Sequence, residues 1–178
     1  MDYPGLENNW KRCSHCQALV FNGNSSGKCH AALPADKGQH NFEGSSIYSI
    51  RKDGALPPGS QDNWRICNKC QALSFAGNIG KVGACSAGGQ HDHTGSANFM
   101  LPFRDPSTPL SEDAETDWRW CNKCQVLSST YDANTGPVLG PCAAAGNHDH
   151  AGSGNYVLLK VLNARYVLYE AYMDALKK

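Results

Sequence analysis

Short runs of apolar, β-branched and aromatic residues recur along the chain and are separated by Gly, Asn and Ser. They lie at 18–21 (A-L-V-F), 47–50 (I-Y-S-I), 72–75 (A-L-S-F), 98–101 (N-F-M-L) and 155–159 (N-Y-V-L-L). Runs of this length and composition, bounded by turn-forming residues, are typical of β-strands. None of these segments has a convincing helical period. The pattern predicts an all-β protein built from short strands.

The C-terminal segment 159–178 has a different pattern. Its apolar and aromatic residues recur at helical spacing, and two lysines end the chain, where cations favour a helix C-terminus. We predict an α-helix here that packs on the sheets or, through its tyrosines, serves self-association. The periodic residues are Leu162, Tyr166, Tyr169, Met173 and Leu176.

One motif occurs three times. Trp10, Trp64 and Trp118 recur every 54 residues, and each opens the pattern W-x-x-C-x-x-C-Q-x-L. Each copy continues to a third cysteine, a histidine, a Gly-Ser pair and an aromatic strand. The chain is therefore organised as three tandem repeats.

We place the repeats at 9–50, 63–101 and 117–158, with Pro/Gly/Asp-rich connections between them. A unit of this size buries only about 60 % of its unfolded surface, so a metal, disulfides or neighbouring repeats must stabilise it. The repeats are arranged around a pseudo-threefold axis or strung side by side. Mutual packing is favoured because a single repeat cannot bury a face alone.

The nine cysteines divide into three per repeat. A C-x-x-C turn gives two thiolates to one ion, and zinc takes four thiolate or imidazole ligands in a tetrahedron. The fourth ligand is the histidine shared by all three repeats. Four protein ligands close the coordination sphere, so we predict three structural Zn²⁺ ions that supply folding free energy. The predicted ligand sets are Cys13, Cys16, Cys29 and His40; Cys67, Cys70, Cys85 and His91; Cys121, Cys124, Cys142 and His148.

Three alternatives to this ligand assignment stay open. Plain buried cysteines are common as isolated residues but do not explain three matched C-x-x-C turns. Disulfides would leave an odd thiol in every repeat, which counts against them. Within the motif H-D-H, His93 and His150 rival the first histidine as ligands, although Phe42 occupies that position in the first repeat. The intervening Asp92 and Asp149 are interpreted as acceptors for a zinc-bound imidazole.

Other recurrent residues have two interpretations each. The tryptophans either pack over the metal sites or form stacking platforms for a sugar or base. The glutamine after each second cysteine either fixes the C-x-x-C turn by a hydrogen bond or presents an amide to a ligand. The candidate ligand-binding residues are Trp10, Trp64, Trp118, Gln17, Gln71, Gln125, His93 and His150.

A His-Asp pair is also compatible with general-base catalysis, but the first repeat has Asn41 and Phe42 instead. The only recurrent serines, Ser45, Ser96 and Ser153, follow glycines and are interpreted as turn residues. The sequence therefore favours a protein that is not an enzyme.

Charge and hydropathy narrow the range of partners. Sixteen Lys and Arg balance sixteen Asp and Glu, the pI is about 7.0 and the mean hydropathy is −0.49. Nucleic-acid binding is disfavoured because it usually requires a basic surface. No apolar run is long enough to span a membrane, and the polar start of the sequence is unlike a signal peptide. Metal-bound thiolates occur in several compartments, so localisation stays open.

The third copy of the motif, W-R-W-C-N-K-C-Q-V-L followed by H-D-H-x-G-S-x-N-Y, resembles a Cys/His repeat of uncharacterised bacterial and fungal proteins. The resemblance covers about residues 9–158 and implies tandem zinc-ribbon-like repeats without a known activity. The W-x-x-C-x-x-C opening is also similar to Trp-bearing zinc fingers that bind RNA or modified histone tails. Those fingers have a second cysteine pair that is missing from this sequence.

The leading hypothesis is a non-catalytic, zinc-stabilised binding module that is multivalent and binds a glycan or a protein surface. The alternative is an intracellular zinc-ribbon adaptor for protein or nucleic acid. A metallohydrolase is the least favoured hypothesis because it requires an open metal position.

Overall fold

A computed structural model gives the fold and describes residues 5–161. Within that range the chain forms eleven β-strands and one 3₁₀ turn, Pro34–Asp36, with no α-helix. The prediction of an all-β protein is confirmed. None of the helical structure in residues 5–161 is long and apolar enough to cross a membrane.

Each repeat contributes a long first strand, a short second strand and a third strand. The third repeat adds a small hairpin, β9 (Tyr131–Asp132) with β10 (Gly136–Pro137), in its longer loop. The main strands are β1 (Leu6–Arg12), β2 (Leu19–Phe21) and β3 (Tyr48–Lys52); β4 (Ser60–Ile66), β5 (Leu73–Phe75) and β6 (Phe99–Pro102); β7 (Ala114–Trp120), β8 (Leu127–Ser129) and β11 (Tyr156–Lys160).

Within a repeat, the first strand pairs antiparallel with both the second and the third strand. The pairing with the third strand shifts register just before each tryptophan, as in a β-bulge. The residue before each tryptophan, Asn9, Asn63 or Asp117, has a positive φ. Asn and Asp tolerate this left-handed conformation better than most residues do. The bulge therefore has a local cause in the sequence.

The repeats join each other in a closed ring. Strand β3 pairs with both β6 and β11, and Phe103 bridges to Tyr156 to complete the circuit. A second circuit links the short strands through bridges between Val20 and Ala72, Ser74 and Val126, and Ala18 and Ser128. Each repeat thus contacts both others through equivalent strands. This is a pseudo-threefold arrangement, not a linear one.

The interior has two clusters of buried side chains. One holds the nine cysteines, and the other is an aromatic core that holds the three fully buried tryptophans. Each tryptophan contacts, edge to face, the aromatic residue that begins the third strand of the next repeat. The pairs are Trp10 with Phe99, Trp64 with Tyr156 and Trp118 with Tyr48, at 5.0, 5.3 and 5.3 Å between ring centroids.

Both interpretations of the tryptophans are therefore wrong. Large aromatic rings gain most by burying their whole surface, and the interfaces between repeats provide that burial. Trp10, Trp64 and Trp118 lie in the aromatic core and not among the cysteines, and they have no exposed face on which a ligand could stack.

The predicted C-terminal helix, 159–178, begins too early. Leu159 pairs with Ser49 and Ala114, and Lys160 pairs with Tyr48, so strand β11 continues through these residues. Residues 162–178 lie outside the described part of the chain.

Candidate metal centre

In each repeat the first and second strands are joined by the sequence C-x-x-C-Q, which we call the knuckle. In the first repeat the backbone N–H of Gln17 donates to the Cys13 carbonyl, and the N–H of Cys13 donates to the Ala18 carbonyl. Gln17 has a φ of 62°, and its side-chain amide donates to the Ser14 carbonyl at 2.9 Å. This tight turn places both thiols of the knuckle on one side.

Equivalent hydrogen bonds close the other two knuckles. All three glutamines are buried, so they do not present an amide to a ligand at the surface. The predicted role of fixing the C-x-x-C turn therefore applies to Gln17, Gln71 and Gln125.

The knuckle thiols meet the third cysteine and the first histidine in every repeat, and we call these groups the CCCH sites. The potential ligand atoms of each site all lie within 4.8 Å of one another. In the first site Cys13 Sγ is 3.8 Å from Cys29 Sγ, and Cys16 Sγ is 3.6 Å from His40 Nδ1. The corresponding pairs are 3.7 and 3.7 Å apart in the second site and 3.9 and 3.5 Å apart in the third.

These distances fit one tetrahedral ion per site. Zinc bonds of about 2.3 Å to sulfur and about 2.05 Å to nitrogen give tetrahedron edges of about 3.8 Å between sulfurs and about 3.6 Å between sulfur and nitrogen. A disulfide would require about 2.05 Å between sulfurs, and all nine cysteines are free. The twelve predicted ligands are therefore grouped as a structural metal requires.

The electrostatics of the sites favours a bound cation. Hydrogen bonding from Cys16 lowers the pKa of the Cys13 thiol well below its usual range, and the same contact raises the pKa of Cys16. The second knuckle behaves in the same way, with Cys67 lowered and Cys70 raised. Several thiolates buried side by side are costly unless a cation compensates them.

Each CCCH histidine also contacts the next repeat. The Nε2 of His40 donates to the Cys70 carbonyl at 3.2 Å, while its Nδ1 faces the thiols. The other two bonds run from His91 to the Cys124 carbonyl at 3.0 Å and from His148 to the Cys16 carbonyl at 2.9 Å. Such a bond fixes the tautomer and orientation of a metal-binding imidazole. The three sites are thus linked head to tail around the ring.

The knuckle carbonyl groups accept the hydrogen bonds of the CCCH histidines, a role that the sequence analysis assigned to Asp92 and Asp149. Asp92 Oδ1 accepts the backbone N–H of Thr94, and Asp149 Oδ1 accepts that of Ala151. The prediction that these carboxylates orient a zinc-bound imidazole is wrong, because each closes a local turn.

A glycine two residues before each third cysteine is a feature that sequence reasoning missed. A Cβ atom on Gly27, Gly83 or Gly140 would lie 2.1 to 2.3 Å from the carbonyl oxygen of the next repeat's second knuckle cysteine. That oxygen is the acceptor of the CCCH histidine. Within a single repeat, the only sequence signal of this contact is the recurring G-x-C motif.

The second histidine of H-D-H bonds to a buried serine. His93 Nε2 lies 2.6 Å from Ser74 Oγ, and His150 Nε2 lies 2.7 Å from Ser128 Oγ. Both serines are completely buried on the short second strands, so they have no access to a substrate. The alternative that His93 and His150 are metal ligands is wrong, because the first histidine of each H-D-H motif joins the CCCH site and the second pairs with a serine.

The first repeat has apolar residues at both positions, and they belong to the same buried region. Val20 stands at the position of Ser74, and Phe42 at the position of His93. The two positions change together, from a hydrogen-bonded pair to an apolar pair. An alignment of the three repeats shows that the two positions change together. The sequence alone could therefore have revealed that these side chains are paired.

The recurrent Gly-Ser serine secures the end of each first strand. Its hydroxyl accepts the backbone N–H of the residue before the first cysteine. The bonds run from Arg12 to Ser45, from Ile66 to Ser96 and from Trp120 to Ser153, each at 2.8 Å. These serines are structural acceptors, in agreement with their interpretation as turn residues.

Comparisons with protein-family models, curated proteins and solved structures return no match to this chain. Three buried CCCH sites, each with four protein donors, are suited to holding metal ions for structure.

Proposed function

We propose that this chain is a non-catalytic binding module whose three zinc-ribbon-like repeats are held together by three structural Zn²⁺ ions. The observation that carries the proposal is the triple CCCH arrangement, with all twelve donors buried. Thiolate and imidazole donors in a tetrahedron favour zinc among the common divalent ions. A catalytic zinc site keeps one position for water, whereas four protein ligands leave none.

A binding role is supported by the positions of the recurrent residues. The recurrent Trp, Gln and Ser side chains are engaged in packing and in hydrogen bonds inside the scaffold. The same holds for the second His of H-D-H in the second and third repeats. The repeats differ in length between the second and third cysteine, in loops that lie outside this scaffold. Variable loops on a rigid scaffold are common places for binding residues.

A glycan is the ligand class we favour. The formal net charge of zero argues against polyanions, because nucleic-acid binding depends on contacts from Lys and Arg to phosphate. A neutral, hydroxyl-rich ligand is instead suited to aromatic rings with amide side chains beside them, and Trp120 and Phe103 line a pocket together with Gln61 and Asn78.

The test is a glycan array probed with the metal-loaded full chain. We expect retention on a defined subset of neutral glycans, with binding insensitive to salt. A chelator-treated sample is the control and should lose binding together with its fold. Failure to retain any glycan, or binding to nucleic acid that weakens steeply with salt, would contradict the glycan assignment.

A further inference from the structure

Three equivalent grooves lie between neighbouring repeats, beside the places where their third strands run side by side. In each, the residue three before the tryptophan and the residue four after the aromatic that begins the third strand occupy matching places. They are Glu7 and Lys52 in the first repeat, Gln61 and Phe103 in the second, and Glu115 and Lys160 in the third. The second repeat alone has no charge at either position.

The other two grooves carry charged side chains at these positions. In the groove between the first and second repeats, Lys52 Nζ lies 2.5 Å from Glu7 Oε2. In the groove between the third and first repeats, Glu115 accepts the Tyr48 hydroxyl at 2.8 Å. Arg12, which enters this groove from the first repeat, forms an ion pair with Asp132 at 2.8 Å.

The groove between the second and third repeats is an open pocket of about 260 Å³, and none of its lining residues within 5–161 is charged. Its walls include the rings of Phe75, Phe103, Trp120 and Tyr156. Trp120 stands at the position taken by Arg12 in the first repeat and by Ile66 in the second. A volume close to the lower limit of about 300 Å³ for small-molecule sites suits one small ligand.

A further difference between the repeats, at Gly154, makes room for the exposed ring of Phe103 in this pocket. Phe103 lies against Tyr156 with ring centroids 4.9 Å apart, and a Cβ atom on Gly154 would lie 2.5 Å from its Cε1. The matching residues of the other repeats are Ser46 and Ala97. Gln61, Phe103 and Gly154 thus all differ from the residues at the matching positions of the other grooves. All three line this one pocket.

The polar atoms of the pocket are held in fixed positions. The Tyr156 hydroxyl donates to Gln61 Oε1 at 2.6 Å, so the Gln61 Nε2 hydrogens point away from that bond. Asn78 Nδ2 donates to Gln125 Oε1 at 2.7 Å, which leaves Asn78 Oδ1 as an acceptor. Trp120 Nε1 donates to the same oxygen of Gln125 at 3.2 Å. The pocket therefore offers an oriented amide donor and an oriented carbonyl acceptor beside aromatic surfaces.

We propose that this pocket binds one neutral sugar ring of a glycan. The C–H face of a pyranose packs on Phe103 and Trp120, while its hydroxyls accept from Gln61 and donate to Asn78. Because these lining residues include no Lys or Arg, a phosphate or a carboxylate finds no cationic partner among them. The inference rests on the proposed binding function and names its site; it predicts one such ligand per chain, because the other two grooves differ.

The test uses the metal-loaded full chain and a panel of methyl glycosides of neutral hexoses and N-acetylhexosamines. In ¹⁵N-correlated NMR spectra we expect a bound glycoside to shift the indole N–H signal of Trp120. The signals of the buried Trp10, Trp64 and Trp118 should move little. Isothermal titration gives the affinity and the stoichiometry, for which we expect one site.

The decisive variant is Gln61→Glu/Phe103→Lys, which copies the ion pair of the first groove into the pocket. It should keep the thermal stability and lose affinity at least about tenfold, which corresponds to about 1.4 kcal/mol. Gly154→Ala is a second variant, expected to displace Phe103 and weaken binding. Lys52→Ala, in the first groove, is the matched control and should bind like the original chain.

The outcomes separate the two proposals. If the original chain binds a glycoside and the double variant binds equally well, the pocket assignment is wrong while glycan binding stands. If a glycoside binds without shifting the Trp120 signal, the pocket assignment is also wrong. If no glycan is bound in either assay, both the glycan function and this pocket are overturned.

Discussion

Replacement of Gly83 by alanine tests the contact that links neighbouring metal sites. Gly83 has a φ of 87°, and an added Cβ would lie 2.3 Å from the Cys124 carbonyl oxygen and 2.8 Å from Gln125 Cγ. The positive φ costs alanine about 1 kcal/mol. Displacing the carbonyl weakens the His91 hydrogen bond, which costs about 1 kcal/mol, and the steric overlap adds a similar amount. We expect a loss of about 3 kcal/mol in the free energy of unfolding.

Two further glycines separate the contributions. Gly95 has a φ of 80° with nothing within 4 Å of its Cβ position, so Gly95→Ala should show the backbone cost alone, about 1 kcal/mol. Gly140 does not have a positive φ, but its Cβ would lie 2.3 Å from the Cys16 carbonyl oxygen. Gly140→Ala should therefore show mainly the contact cost, about 2 kcal/mol.

Urea unfolding of the three variants in excess metal measures these differences. A chelator titration should also release metal more readily from Gly83→Ala and Gly140→Ala than from Gly95→Ala. The reasoning is refuted if Gly83→Ala and Gly140→Ala are no less stable than Gly95→Ala, since the contact between repeats would then have no energetic weight.

Further predictions concern the scaffold. Ser74→Val should cost about 2 kcal/mol because it leaves His93 without its partner, and Ser74→Val/His93→Phe should recover most of that loss by copying the first repeat; equal stability of single and double variants in urea unfolding would argue against the pairing. Cys70→Ser should reduce the metal content by at least one ion per chain in native mass spectrometry, and a full complement would exclude Cys70 as a ligand. Acidification should release the ions and lower stability: the depressed pKa of Cys13 and Cys67 means that the folded state binds fewer protons there than the unfolded state, so stability falls as pH falls. Metal analysis and circular dichroism across a pH series check this, and release that grows with rising pH would contradict it.

The metal ligands were predictable because spacing within one repeat determines them. A C-x-x-C turn, one further cysteine and one shared histidine leave few other assignments, and the structure brings those twelve residues together. The short strands were predictable for a similar reason, since each run of apolar residues between turn formers is local.

Contacts between repeats were not predictable in this way. The partner of His40 is a backbone carbonyl 30 residues away in another repeat, and no side-chain pattern marks a carbonyl. Trp10 gave no indication that its contact would be Phe99 of the next repeat. The roles of His93 and Ser74 needed knowledge of which strands lie side by side, although their joint replacement in the first repeat was visible in the sequence.

The central claim is that three closed CCCH sites hold structural zinc. X-ray absorption at the zinc edge, combined with the metal content of the purified full chain, tests it most directly. The account predicts three zinc ions per chain, each with three sulfur ligands at about 2.3 Å and one nitrogen ligand at about 2.05 Å. Fewer than three ions, or an oxygen ligand that marks an open coordination position, would contradict it.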